Sequence, residues 1–196
     1  MKKDVFLIKQ AFIIPVLAVI NIILGLFVSG YDVASQRISE LALETPFIAY
    51  THRILDIIIG ISMCIFAVQV FKLVKAYFSL LTIFAFGLTW IFAGVFILTS
   101  PLHDIYGLTN VLIIIPLIFV IEYREVLKSK YFVTYSILTS LIHIIFFWFF
   151  DYGFFSQDYV GITQRIWVFI TLIWFGIAAQ NSILMIKEQP HMDTDL

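Results

Sequence analysis

The sequence predicts an all-α integral membrane protein, a bundle of six transmembrane helices with the N- and C-termini cytoplasmic. Three observations carry that prediction. Of the 196 residues, 62% are hydrophobic and only 13% are charged, with a mean hydropathy of +1.03; a soluble domain of this size cannot bury so much apolar surface. Six mostly apolar runs approach the ~20 residues that a spanning helix needs: about 10–29, 54–71, 77–98, 105–121, 131–150 and 164–186. Basic residues are distributed unevenly between the two sets of connections. Lys2, Lys3, Lys9, Lys72, Lys75, Arg124, Lys128, Lys130 and Lys187 fall on one side, and only Arg37, Arg53 and Arg165 on the other. The Lys- and Arg-rich side is the cytoplasmic one. Little chain is left over, so 1–196 reads as a single transmembrane domain.

The first run is as long as a full span and no clear small-x-small site follows it, so it reads as a retained helix rather than a signal peptide. It places Asn21 about nine residues below Gly30. Next, YDVASQRISELALETPFIAYTHRILD gathers Asp32, Arg37, Glu40, Glu44, His52, Arg53 and Asp56 between two apolar runs. Within it, Ser35–Leu43 reads as a short amphipathic piece at the outer interface, with Ile38, Leu41 and Ala42 on one side and Gln36, Arg37 and Glu40 on the other. Thr45-Pro46 is an N-cap followed by proline at the first helical position. Helix two therefore starts before its membrane run, and His52 and Asp56, four apart, share a face. Cys64 is the only cysteine and forms no intramolecular disulfide.

Ser100-Pro101 gives the same start signal for helix four. His103 and Asp104 then fall in its first turn, where Asp104 complements the helix dipole, and His103, Gly107 and Asn110 share a face. The link from helix three is almost absent, which predicts an antiparallel pair. Helix five carries His143, ~10 Å below its outer end at 1.5 Å per residue. Helix six starts between Asp158 and Thr163 and carries Arg165. Trp148 and Tyr152 read as an interfacial aromatic belt. Gly87, Ala93, Gly94, Gly176 and Ala178 read as small residues that permit close helix contact.

The polar residues all fall in the outer half. An ionisable group facing lipid near the bilayer centre costs ~2.5–3.5 kcal/mol, so these groups should turn inward and line a polar pocket open to the outside. The candidates are Arg37, Ser39, Glu40, His52, Arg53, Asp56, His103, Asp104, Asn110, His143 and Arg165.

ISELALETP at 38–46, followed by His52 and Gly60, resembles the first motif of the bacterial and archaeal family known as domain of unknown function 998. HDIYG at 103–107, preceded by Gly94 and Pro101, resembles its second, and GITQRIWV at 161–168 its last. Ala42 stands where that family usually carries Gly, and His52 where it often carries Asn. The Ile-Ser-Glu and Pro pattern is similar, more distantly, to the damage-regulated autophagy modulator family of six-span proteins. The resemblance implies six spans in a bacterial or archaeal plasma membrane; neither family supplies an established reaction.

Several chemistries compete for the outer residues. His52, Asp56, His103 and His143, with Glu40 nearby, offer nitrogen and oxygen ligands that suit zinc. Against this, Arg37, Arg53 and Arg165 match Glu40, Asp56 and Asp104 as a structural ion-pair network. The histidines are expected to satisfy themselves separately, His103 through Asn110. Ser39 as a nucleophile needs His52 or His103 as its base, and local backbone bonding explains a Ser-Glu pair equally well. No acid or base lies at mid-depth in the inner half, which argues against a proton relay. The formal charge of −1 with no basic block gives no nucleic-acid partner. The leading expectation is a pocket that binds a lipid headgroup or small amphiphile. A membrane-embedded, metal-dependent hydrolase or transferase comes second and a transporter third. Membrane lipids are the expected partners, with a membrane-protein partner or a second copy of the chain left open.

Overall fold

A computed structural model describes residues 2–105, 107–151, 153–154 and 156–188. The protein is nearly all helical, with no strand among the described residues. Tyr152 and the side chain of Trp148 lie outside them.

The first apolar run folds as α1 (Lys2–Lys9), a 3-10 turn over Gln10–Phe12, α2 (Ile13–Leu24) and a second 3-10 turn over Gly25–Phe27. The break falls just ahead of Pro15, which has no N–H for the carbonyl four residues back and crowds that turn with its ring. Thr45 sits at the start of α3 (Pro46–Val74), with Pro46 in the first turn as its sequence predicts. Helix α3 ends at Lys75 in the left-handed conformation, φ 57°, and the chain reverses at once into α4 (Tyr77–Val95).

Helices α3 and α4 pack along their length because glycines let their backbones meet. A Cβ on Gly60 would lie 2.4 Å from the Gly87 carbonyl oxygen, one on Gly87 2.8 Å from that of Gly60, and one on Gly94 2.5 Å from that of Arg53. The small-residue reading thus holds at Gly87 and Gly94. Gly176 meets Pro15, whose Cγ would lie 3.1 Å from its Cβ, and Ala178 is buried.

The 105–121 run is the main departure. Residues 96–105 are irregular, and beyond Gly107 the chain forms a 3-10 segment, Leu108–Ile113, before α5 (Ile115–Glu122). Ser100-Pro101 opens a tight turn instead of a helix: the Ser100 N–H donates to the Ile97 carbonyl, and His103 N–H to that of Ser100. Two left-handed residues follow, Ile105 with φ 42° and Gly107 with φ 83°, and Pro116 lacks the N–H that would tie its turn back. So the link after α4 is long rather than absent. Helix α4 still packs against Leu108–Ile113 and α5.

Helix α6 (Lys130–Asp151) and α7 (Val160–Glu188) complete the bundle. Ser156 Oγ accepts the Asp158 N–H and starts the 3-10 turn Gln157–Tyr159 that leads into α7, within the expected start of helix six. At the opposite end Glu122 takes the Phe78 and Ser79 N–H groups on its carboxylate, at 3.1 and 2.6 Å. These are donors that the first turn of α4 leaves unpaired.

Among the described residues, four segments are long and apolar enough to cross a membrane: Val5–Phe27, Pro46–Val74, Tyr77–Val95 and Gln157–Lys187; Lys130–Phe146 is a shorter apolar helix. The side chains sort in the sense that a bilayer requires. On α2, Val16, Val19, Ile20 and Ile23 are exposed while Asn21 is buried. Exposed leucines and isoleucines around buried polar groups suit a hydrocarbon solvent and not water. The interior is aromatic: Phe119 stacks on Tyr123 with ring centroids 4.3 Å apart and meets Trp174 edge-on. The Trp174 indole N–H is satisfied by Ser136 Oγ at 2.9 Å.

Candidate functional site

Three residues at the head of α7 hold down the segment that carries ISELALETP. Gly161 comes first, because the chain at 33–36 lies directly against it. A Cβ there would sit 2.2 Å from the Gln36 carbonyl oxygen and 2.7 and 2.8 Å from those of Val33 and Ala34. Gln164 Oε1 accepts the Ile38 N–H at 2.7 Å. Arg165, one turn below Gly161 and buried, donates to the carbonyls of Val33 and Gln36 at 2.8 and 2.7 Å and to the Tyr31 hydroxyl at 2.9 Å. Its guanidinium also lies over the Tyr31 ring, 5.5 Å from the centroid. The Tyr31 hydroxyl passes its own proton to the Arg37 carbonyl at 2.5 Å. Burial raises the pKa of this phenol and the Arg165 charge opposes the rise. Asp32, exposed, is held below the ordinary carboxylate range by the Ser35 hydroxyl and then the Ala34 N–H.

So clamped, the 3-10 segment Ile38–Leu43 packs inward through Ile38, Leu41 and Ala42, all buried. The predicted amphipathic sides are correct, but the segment docks on the bundle instead of only lying at the interface. Glu40 closes its start by accepting the Arg37 N–H at 3.1 Å.

Beneath this cap, α2 and α3 contribute a buried polar network. His52 Nδ1–H donates to Asn21 Oδ1 at 2.7 Å, and Asn21 Nδ2 donates to Asp56 Oδ1, also at 2.7 Å. His52 Nε2 lies 3.3 Å from Asp56 Oδ2, within ion-pair range but without hydrogen-bond geometry. Nδ1 is thereby the protonated ring nitrogen, turned to the amide oxygen, and Nε2 faces the Asp56 carboxyl group with no hydrogen bond between them.

The cap, the network and Leu98, His103 and Asp104 border a partly open cavity of about 410 Å³. Of the predicted residues, Arg37, Ser39, His52, Asp56, His103, Asp104 and Asn110 line it; Glu40, Arg53, His143 and Arg165 do not. Arg53 Nε and Nη2 donate to the Gly94 and Val95 carbonyls at 2.7 Å each and close the C-terminal end of α4, a position where a cation also meets the helix dipole favourably. His143 stands behind the wall. Thr171 Oγ1 donates to the Trp167 carbonyl at 2.8 Å, and the same oxygen meets His143 Nε2 at 2.9 Å. His103 Nδ1 donates to the Phe96 carbonyl at 2.8 Å, not to Asn110; the shared face assumed a helix that does not form there. Asp104 accepts the Thr109 hydroxyl.

Two of the competing readings are not met in full. Arg53 and Arg165 do not neutralise Asp56 or Asp104 but bond backbone carbonyls, whose lone pairs serve a guanidinium as well as a carboxylate does. The zinc set of His52, Asp56, His103 and His143 is not assembled either. No group of three or more His, Cys, Asp or Glu side chains placed to hold a metal occurs among the described residues. Sequence reasoning left out Gln164, Thr89, Trp90 and Trp167 as lining residues. Gln164 was accessible through its place in GITQR, whereas the others look like ordinary apolar-helix residues.

No curated protein and no solved structure matches the chain. The family described as "Protein of unknown function (DUF998)" matches residues 12–181, a stretch that holds the cap, the Asn21–His52–Asp56 network and the α7 clamp, and the chain belongs to that family.

Proposed function

We propose that this chain is a six-span protein of a bacterial or archaeal plasma membrane whose outward-facing cavity binds the polar head of a lipid or small amphiphile. One observation carries the reading: the cavity is itself amphiphilic. Asn21, His52, Asp56 and His103 supply polar groups, while Ile22, Phe86, Trp90, Leu112, Trp167 and Val168 supply apolar and aromatic wall. A few placed polar groups in an apolar concavity of this size are the usual form of a small-molecule site.

Helix α6 and the broken run Leu108–Ile113 plus α5 make the remaining two crossings. The broken run is short for ~30 Å of hydrocarbon. The irregular segment 96–105 completes the outer part of that crossing, and irregular backbone is tolerated at such depth where it lines a cavity. Leu98, His103 and Asp104 do so.

The orientation is tested with Asp4→Cys and Ser156→Cys variants and a membrane-impermeant maleimide. They are expected to label from opposite faces, Ser156→Cys from outside; labelling from one face overturns the topology. Binding is tested by thermal unfolding of the detergent-purified chain with short-chain phospholipids. Stabilisation of about 2.7 kcal/mol is expected at a hundred times the dissociation constant. The cavity-filling variant Ala93→Trp is expected to fold without showing it. If no amphiphile stabilises the wild-type chain, the binding reading falls.

A further inference from the structure

We propose that the buried end of this cavity receives a primary ammonium group, so that the ligand is an amphiphile or small amine that carries one. The proposal rests on the amphiphile-binding reading above and names the chemistry of its head.

The inference follows from where the donors already go. Thr89 Oγ1–H donates to the Phe86 carbonyl at 2.7 Å, and Thr171 Oγ1–H to that of Trp167 at 2.8 Å. Both hydroxyls therefore have only lone pairs left to offer, and one of those on Thr171 already meets His143 Nε2 at 2.9 Å. His103, half-buried on the lining, spends its Nδ1–H on the Phe96 carbonyl. His52 spends its Nδ1–H on Asn21, and Asn21 spends a donor on Asp56. Asp56 Oδ2 and His52 Nε2 remain, 3.3 Å apart, unlinked by a hydrogen bond and on residues only 4% and 2% exposed. Apart from the one proton that a neutral pair carries, the buried end is thus rich in acceptors and holds a carboxyl group. Toward the more exposed end Gln164 uses its oxygen on Ile38 N–H and so keeps its amide hydrogens, and Arg37 also lines the cavity.

An R–NH3+ group brings three N–H donors and one positive charge. It satisfies several acceptors at once and balances the Asp56 carboxylate. A quaternary ammonium brings the charge without the donors; a sugar hydroxyl brings donors without the charge. The Phe86, Trp90 and Trp167 side chains on the same wall add ring faces that attract a cation. An anionic group one short linker away from the ammonium would lie toward Arg37 and Gln164.

A neutral pair at this burial carries one proton, on Asp56 or on His52 Nε2, and binding displaces it, because an ammonium beside Asp56 takes over its role. The other charged groups around the couple are few. Arg53 follows His52 on α3, Arg37 comes from the cap, and His103 and Asp104 from the 96–105 segment; α2, α4 and α7 contribute no charged lining residue.

The test titrates the full chain in detergent by calorimetry with dihexanoyl phosphatidylethanolamine, the phosphatidylcholine and phosphatidylglycerol of the same chains, and free ethanolamine, in two buffers of different ionisation enthalpy. The ethanolamine lipid is expected to bind about ten-fold more tightly than the choline lipid, a difference of about 1.4 kcal/mol. It should release about one proton per ligand, the one that the couple holds. Asp56→Asn, which preserves shape, is expected to abolish both the preference and the release. Should that variant fail to fold, the wild-type comparison and proton count decide alone. Free ethanolamine binding as tightly as the lipid would identify a soluble amine as the ligand; much weaker binding would identify the lipid. Choline or glycerol lipid binding as tightly as the ethanolamine lipid overturns the ammonium assignment and leaves the amphiphile reading standing. Binding by none of the probes defeats both.

Discussion

Arg165→Ala is expected to lower the stability of the detergent-purified chain by about 3 kcal/mol or more. Three acceptors, the carbonyls of Val33 and Gln36 and the Tyr31 oxygen, depend on its guanidinium, and a buried polar group left unpaired costs ~1–3 kcal/mol. The loss should be local first: amide exchange at 31–37 should accelerate before the helices open. Arg165→Lys is expected to recover only part of the loss, since an ammonium is a point donor and the fork geometry is gone. Glu40→Ala, which removes a single capping contact, is expected to cost about 1 kcal/mol. The exposed Lys187→Ala should stay within about 0.5 kcal/mol. If Arg165→Ala and Lys187→Ala have equal small effects by chemical or thermal unfolding, the clamp is not what holds the cap.

Gly60→Val should have an effect at least as large, of a different kind. Its Cβ alone would lie 2.4 Å from the Gly87 carbonyl oxygen and 2.8 Å from the Ile91 nitrogen. Both are backbone atoms that cannot swing aside, so α3 and α4 must separate. Overpacking of a tight interface costs typically 1–3 kcal/mol and more when the backbone has to move; a loss above about 3 kcal/mol is expected here. Gly176→Ala is the comparison, because its nearest neighbour is a proline ring atom at 3.1 Å, and about 1 kcal/mol or less is expected. The separation also moves the α4 wall carrying Phe86, Thr89, Trp90 and Ala93. Amphiphile binding should therefore weaken even at temperatures where Gly60→Val remains folded. Normal folding and binding in Gly60→Val would mean that the glycine contact is slack.

The helices themselves were readable in the chain. Apolar run length, the Thr45-Pro46 start and the Asp158–Thr163 start are local properties, and α3, α4, α6 and α7 follow them closely. The inward side of Ile38–Leu43 was readable for the same reason. So was the gathering of polar groups toward the interior, because hydrocarbon on the outside leaves them nowhere else to go.

What only tertiary structure decided is which groups meet. Residues 96–105 carry a helix-start signal at Ser100-Pro101, yet they turn repeatedly, and Ile105 and Gly107 are left-handed; this moved His103 off Asn110 and onto Phe96. Asn21 looked like one polar residue in an apolar run, and becomes the bridge between His52 and Asp56 only because α2 crosses α3 at that level. Arg53 and Arg165 looked like partners for acids and are partners for carbonyls. Charge is written in the sequence, but a guanidinium accepts either kind of oxygen, and the choice falls to whichever backbone the fold brings within 3 Å.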